Sequence, residues 1–226
     1  MDGNGRWAKA RRRPRLMGHR AGAEALDRVM HYCRDVGIEY LTVYAFSTEN
    51  WKRSKAEVSG LMKLLSSFIK SKEKTLVSEG VRFRVIGRRA DLSDRLQREI
   101  AALEEKTSGG SFTLVVALSY GGRDEIVRAA EKFAAKLPGL AGPGREDPRA
   151  MESAFADCLD TAGIPDPDLV IRTSGELRLS NFLLWQAAYS EFYFTDVLWP
   201  DFDRAEFDKA LESFAGRERR MGGRLK

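Results

Sequence analysis

The chain predicts an α/β fold, a mainly parallel central sheet covered by helices. Three observations lead there. Segments with apolar residues at three- and four-residue spacing alternate with short apolar runs. The runs Tyr40 to Phe46, Phe112 to Leu118 and Leu169 to Ile171 are near-continuous in apolar residues, as in strands covered on both faces. Nothing in the 226 residues resembles a linker long enough to divide them, so residues 1–226 read as one domain with a substantial core.

Taken in order, helical spacing runs from about Gly18 to Val36 and stops at Gly37, and the strand Tyr40 to Phe46 follows. From Glu57 to Glu79 a long amphipathic segment puts Val58, Leu61, Met62, Leu65, Phe68 and Ile69 on one stripe. Val81 to Ile86 alternates apolar residues with arginine as a strand does. Asp91 to Lys106 is helical, Phe112 to Leu118 is the most apolar strand, and Gly122 to Leu137 and Pro148 to Ala162 read as helices. The Gly- and Pro-rich stretch between those two helices is a loop. A strand ends at Arg172, a short one lies near Phe192 to Phe194, and a helix from Arg204 to Arg219 completes the fold.

Composition narrows the function. No apolar run approaches the roughly 20 residues that span a bilayer, which predicts a soluble, cytoplasmic protein. Cys33 and Cys158 lack metal-type spacing and read as reduced, buried thiols, and two histidines cannot build a zinc site without carboxylates. The net charge is +5, and residues 1–20 hold seven Lys or Arg against one Asp. Such a stretch serves a solvated face, a lipid surface, a phosphorylated substrate or nucleic acid. Only Trp7 interleaves it, too little aromatic surface for base stacking, and no nucleic acid is expected as partner.

Two segments carry candidate chemistry. In Met1-Asp2-Gly3-Asn4-Gly5-Arg6-Trp7 the glycines free the backbone to converge amide N–H groups on an oxyanion. Asp2 joins such a site through a hard cation such as Mg2+. The same residues are also good turn formers. In Ile171 to Asn181, Arg172 follows a strand end, where open parallel sheets bind ligands. Arg178 and Ser180 follow a Ser-Gly turn, and guanidinium and hydroxyl donors together suit phosphate, although surface ion pairs would use the same arginines.

Both segments, with Arg15 and Gly18-His19, Tyr44 to Arg53, Tyr120 to Arg123, and Glu191 to Pro200, occur in the order seen in the cis-prenyltransferases. The chain resembles that family over nearly its whole length, and in particular its bacterial undecaprenyl diphosphate synthases. The resemblance implies a hydrophobic tunnel lined in part by the Glu57 to Glu79 helix, whose stripe reads equally as core. It implies repeated condensation of isopentenyl diphosphate onto a farnesyl-type allylic diphosphate. The allylic diphosphate falls to Gly3, Asn4, Gly5, Arg6, Trp7, Arg15, His19, Trp51 and Arg53. Isopentenyl diphosphate falls to Arg172, Arg178, Ser180, Arg220 and Gly222. Mg2+ falls to Asp2 with Glu191. Asp2, His19, Ser47 and Asn50 are the implied catalytic residues, with the proton acceptor left open between His19 and diphosphate, since serine and asparagine are poor bases. Trp51 and Phe46 read either as neighbours of the allylic chain or as core.

The Arg220-Met221-Gly222 tail implies a homodimer in which it reaches the partner's isopentenyl site. A very hydrophobic product leaves room for peripheral membrane contact at the inner face during release. Departures from the family pattern are the absence of the strand expected ahead of Met1, and Ser54, Ser119 and Leu177 in place of a proline, an asparagine and a histidine. A non-catalytic partner subunit of the same fold is the main rival, with a basic nucleic-acid-binding module behind it. The first would lose the aspartate and arginines that this chain keeps.

Overall fold

β3 (Phe112–Tyr120) is buried along its whole length, because strands flank both its edges, helices cover the face of Leu114 and Val116, and Val170, Leu183 and Ala187 cover the face of Val115 and Ala117. It is the centre of the computed structural model, which describes residues 1–137 and 147–217. β1 (Tyr40–Ser47) and β2 (Val81–Ile86) pair with it in parallel, Tyr40 opposite Thr113 and Val81 opposite Phe112. A second parallel pair, β4 (Leu169–Arg172) and β5 (Glu191–Phe194), sets Leu169 opposite Glu191 and Arg172 opposite Phe194. All strand pairs are parallel, as predicted.

The helices are α1 (Asn4–Ala10), α2 (Arg15–Asp35), α3 (Lys55–Ser78), α4 (Asp94–Lys106), α5 (Gly122–Lys136), α6 (Pro148–Ala156) and α7 (Arg204–Ala215). Caps move several boundaries from their predicted places. Ser54 and Ser93 accept the amides of Glu57 and Leu96, so α3 starts at Lys55 and α4 at Asp94 rather than Asp91. α6 stops at Ala156, not Ala162, and α7 stops at Ala215 before Gly216, short of Arg219.

α1 differs most from expectation. Asp-Gly-Asn-Gly reads as a turn, yet Gly3 takes a left-handed φ of 98° and a helix starts directly after it. Tertiary contact overrides propensity here, because α1 crosses α2 at two glycines. A Cβ on Gly18 would lie 2.0 Å from the Asn4 carbonyl oxygen, and one on Gly22 would lie 2.6 Å from Asn4 Oδ1.

The main core joins α2, α3, α4, α7 and the three-stranded sheet through Met30, Leu76, Phe83, Ile100, Leu114 and Phe202. The α3 stripe of Val58, Leu61, Met62, Leu65 and Phe68 packs against that core while remaining partly open. Near the carboxyl ends of β1 and β3 the pairing register slips at Ala45 and again at Ser119, which has a left-handed φ of 47°. Such bulges re-aim side chains at strand ends.

Candidate active site

The carboxyl end of β4 meets those of β1 and β3 through one residue, Asn181. Its carbonyl accepts the Gly122 amide at 2.7 Å, its Oδ1 accepts the Arg123 amide at 2.8 Å, and its Nδ2 donates to Glu49 at 3.1 Å. The segment from Thr173 to Asn181 is therefore held at both ends over the sheet, with Ser174, Gly175, Ser180 and Asn181 all at positive φ.

Arg172 leaves the end of β4 and reaches three partners. One nitrogen donates to Ser180 Oγ at 2.8 Å and to the Arg178 carbonyl, and the other donates to Asp2 Oδ2 at 3.1 Å. The backbone of Asp2 is clipped by Thr173, whose hydroxyl accepts its amide at 3.1 Å and donates to its carbonyl at 3.0 Å. Partial burial alone would raise the Asp2 pKa. The Arg172 hydrogen bond and charge, with the Gly3 amide on Oδ1, outweigh that burial and hold it below the usual carboxylate range.

Around this pair the other arginines are gathered by two carboxylates. Glu176 takes Arg6 at 3.3 Å and Arg178 at 2.5 Å, and Arg6 also donates to Ser174 Oγ. Glu57 takes Arg15 and Arg53 at 3.0 Å each, with His19 Nε2 at 3.8 Å, beyond hydrogen-bond reach. Burial and the nearby Arg53 charge lower the His19 pKa, which favours the neutral imidazole, and its buried Nε2 has no hydrogen-bond partner among the described residues. Ser47 and Asn50 form a capping box over the turn Thr48–Lys52, with the Ser47 amide donating to Asn50 Oδ1 at 3.2 Å.

The arginines, Asp2 and His19 border one cavity of about 1400 Å3, lined among others by Asp2, Arg6, Arg15, His19, Arg53, Arg172 and Arg178. Its far wall is apolar, with Val29, Leu61, Phe202, Phe207 and Phe214. Every residue from Gly37 to Ser47 and from Pro165 to Thr173 also borders it. Side chains of a strand alternate between faces, so an unbroken run lines a space only along the strand's edge. The cavity thus combines a charged mouth with a slot between the open edges of β1 and β4. α3 meets it at Leu61 alone among the described residues, and the rest of its stripe faces the core.

A family model described as putative undecaprenyl diphosphate synthase matches residues 1–222. Isoprenyl transferases of Fusobacterium nucleatum and Aquifex aeolicus are 51% and 49% identical, covering 99% and 98% of this chain and 93% of each relative. The chain belongs to the undecaprenyl diphosphate synthase family of cis-prenyltransferases. Two solved structures share its fold. Lavandulyl diphosphate synthase from Lavandula x intermedia, in complex with dimethylallyl diphosphate, has a TM-score of 0.91 at 38% identity, covering 99% of this chain and 95% of that one. A probable undecaprenyl diphosphate synthase from Campylobacter jejuni has a TM-score of 0.78 at 35% identity, covering 90% and 92%.

In this prenyltransferase most of the residues singled out from sequence meet at the cavity: Asp2 to Arg6, Arg15, His19, Ser47, Asn50, Arg53, Arg172, Arg178 and Ser180. Trp7 does not; its indole donates to Asp201 at 2.7 Å and its ring lies under the Arg11 guanidinium. Trp51 is likewise turned away, donating to Ser119 Oγ at 2.8 Å and meeting Phe46 edge-on. Glu191 stands opposite Leu169, three residues before Arg172, and pairs with Arg217 at 2.6 Å, so one chain does not bring it beside Asp2. Arg220 and Gly222 lie outside the described residues. Sequence reasoning missed Glu57 and Glu176. Glu57 stands four residues after Arg53, a local signal that was available.

Proposed function

We propose that this prenyltransferase adds isopentenyl diphosphate repeatedly to a farnesyl-type allylic diphosphate, giving a long-chain polyprenyl diphosphate such as undecaprenyl diphosphate. The observation that carries the reading is that two guanidinium groupings, Arg15 with Arg53 and Arg6 with Arg172 and Arg178, border one cavity whose far wall is apolar. Two diphosphates and one growing hydrocarbon fit that division of charge. The names of the Fusobacterium and Aquifex relatives support the reaction class.

In this reading Arg15, Arg53 and the Gly3 to Arg6 segment hold the allylic diphosphate, and Arg172, Arg178 and Ser180 hold isopentenyl diphosphate. As the allylic C–O bond breaks, negative charge grows on the departing diphosphate, and guanidinium groups that bind it more tightly than the intact ester lower the barrier. The π electrons of isopentenyl diphosphate form the new C–C bond, and loss of a proton restores a double bond. Neutral His19 either donates a hydrogen bond to phosphate or accepts that proton.

Asp2 fits a Mg2+ site of the kind completed by substrate phosphates, since one partly exposed carboxylate suffices there and the described residues contain no cluster of three acidic, His or Cys ligands. When bound, the ion would neutralise charge on the leaving diphosphate. Glu191 would join Asp2 only from a second copy of the chain, in keeping with a homodimer in which Arg220 and Gly222 reach the partner's isopentenyl site. No described helix is long and apolar enough to cross a membrane.

The test is product formation from farnesyl diphosphate and labelled isopentenyl diphosphate, with and without Mg2+, resolved by chain length. A Mg2+-dependent ladder ending in a long polyprenyl diphosphate is expected, and Asp2→Ala lowers turnover by orders of magnitude without unfolding the chain. A folded chain that yields no product, or one short product only, overturns the reading.

A further inference from the structure

We propose that the corner joining α1 to α2, residues 9–20, docks on the surface of an anionic phospholipid bilayer. This stretch holds Lys9, Arg11, Arg12, Arg13, Arg15 and Arg20 and no acidic residue, and its residues 9–17 form an unbroken exposed run. Three of the six cations are engaged: Arg11 with Asp201 at 3.1 Å and with the Trp7 ring, Arg13 with the same ring at 5.9 Å, and Arg15 with Glu57. Lys9, Arg12, Arg13 and Arg20 have no ion pair among the described residues.

Beside these charges stand Leu16 and Met17, which are 40% and 37% exposed on the first turn of α2. Arg20 follows them by four and three residues and so shares their side of the helix. Cations flanking exposed apolar side chains match the boundary between lipid headgroups and acyl chains. Base stacking is not on offer, because Arg11 covers the Trp7 ring and the indole N–H is bonded to Asp201. The surface is also continuous with the cavity, since Lys9 and Arg15 border its mouth. Docking by this corner would turn that mouth toward the bilayer. The value of such an orientation rests on the polyprenyl reading above, whereas the docking itself does not.

The experiment is co-sedimentation of the full chain, without substrate, with vesicles of phosphatidylglycerol and phosphatidylcholine and with vesicles of phosphatidylcholine alone. Binding is expected to the first and not the second, and to fall as salt rises. Each cation near an anionic surface is worth roughly fivefold in partitioning. Arg12→Gln, Arg13→Gln and Arg20→Gln together should therefore weaken binding about 100-fold, while kcat/KM on detergent-dispersed substrates stays within twofold. Met17→Ser should weaken the binding that survives high salt. Wild-type binding by the triple variant, equal binding to both vesicles, or tighter binding to duplex DNA than to anionic vesicles at one ionic strength would each overturn the proposal. Partitioning without a product ladder would instead count against the proposed reaction and leave the docking surface standing.

Discussion

Gly18→Ala tests whether the α1–α2 crossing sets the geometry of the site. The new methyl would lie 2.0 Å from the Asn4 carbonyl oxygen and 2.8 Å from its carbon, whereas real Cβ atoms essentially never come within 3.0 Å of a neighbour. Both obstacles are backbone, so no rotamer relieves them and α1 must retreat by about 1 Å even to bring the closest approach back to 3.0 Å. It has nowhere easy to go. Gly3, at the head of the helix, is already boxed by Leu198 Cδ2 and Ser174 Cβ, which would meet its own Cβ at 2.8 and 3.0 Å. Overpacking of this kind costs about 1–3 kcal/mol. The better helix propensity of alanine returns about 1 kcal/mol, leaving a net loss of roughly 0–2 kcal/mol in urea unfolding. A displacement near 1 Å at Asn4 to Arg6 should lower kcat/KM by roughly 100-fold, far more than the stability loss implies. Gly22→Ala meets only the Asn4 side-chain amide, at 2.6 Å, which can rotate, so its loss should be smaller. Gly109→Ala meets nothing within 4 Å and is the control. Wild-type kcat/KM in a folded Gly18→Ala protein, or equal losses for all three variants, would refute the reasoning.

Arg178→Ala removes charged hydrogen bonds worth about 1.5–3 kcal/mol, which should raise KM for isopentenyl diphosphate roughly 10- to 100-fold; an equal rise for the allylic substrate contradicts the assignment. His19 has a folded pKa depressed below its unfolded value near 6.5, so between the two values the unfolded chain binds the extra proton and stability rises with pH. Stability is therefore lost as pH falls from about 6.5 through the folded value, and His19→Gln should flatten that part of a urea-midpoint profile. Ser119→Ala strands the Trp51 indole N–H and leaves Asp91 without the Ser119 hydroxyl, now at 2.8 and 2.6 Å, and should cost about 1–3 kcal/mol with little change in KM.

The strands and most helices were legible because each repeats a short pattern many times, as in the wholly buried β3 or the capped start of α3. α1 was not, because what makes it a helix lies at Gly18 and Gly22 on another element. The site divides along the same line. Arg172, Arg178 and Ser180 lie within nine residues of one another and could be read together as phosphate donors, and the structure does bring them into one group. Glu176 lies inside that window, but a carboxylate is not itself a phosphate donor and nothing nearby marks it as the partner of Arg6. Its link to Arg6 spans 170 residues and leaves no local trace. Trp7 and Trp51 misled for the opposite reason: they sit inside the phosphate motifs by sequence, while their rings are spent on Asp201, Arg11, Phe46 and Ser119.

The pairing of arginine with carboxylate has a consequence for substrate binding. Arg6, Arg15, Arg53, Arg172 and Arg178 are held by Asp2, Glu57 and Glu176, five guanidinium groups against three carboxylates. The carboxylates keep five cations in place at one cavity mouth, where unpaired they would repel one another. A diphosphate arriving there exchanges partners with a carboxylate rather than filling an empty cradle, and the displaced carboxylate stays close by. The excess of two positive charges falls short of what two diphosphates bring. A divalent cation at Asp2 would both narrow the shortfall and replace Arg172 as the partner of that carboxylate, leaving Arg172 to turn to phosphate. Asp2→Asn separates this account from a purely structural role for the aspartate. It keeps an acceptor for the Gly3 amide and removes the charge, so turnover should fall with the urea midpoint nearly unchanged. A fall in the midpoint that tracks the loss of turnover would make Asp2 a clamp on α1 instead.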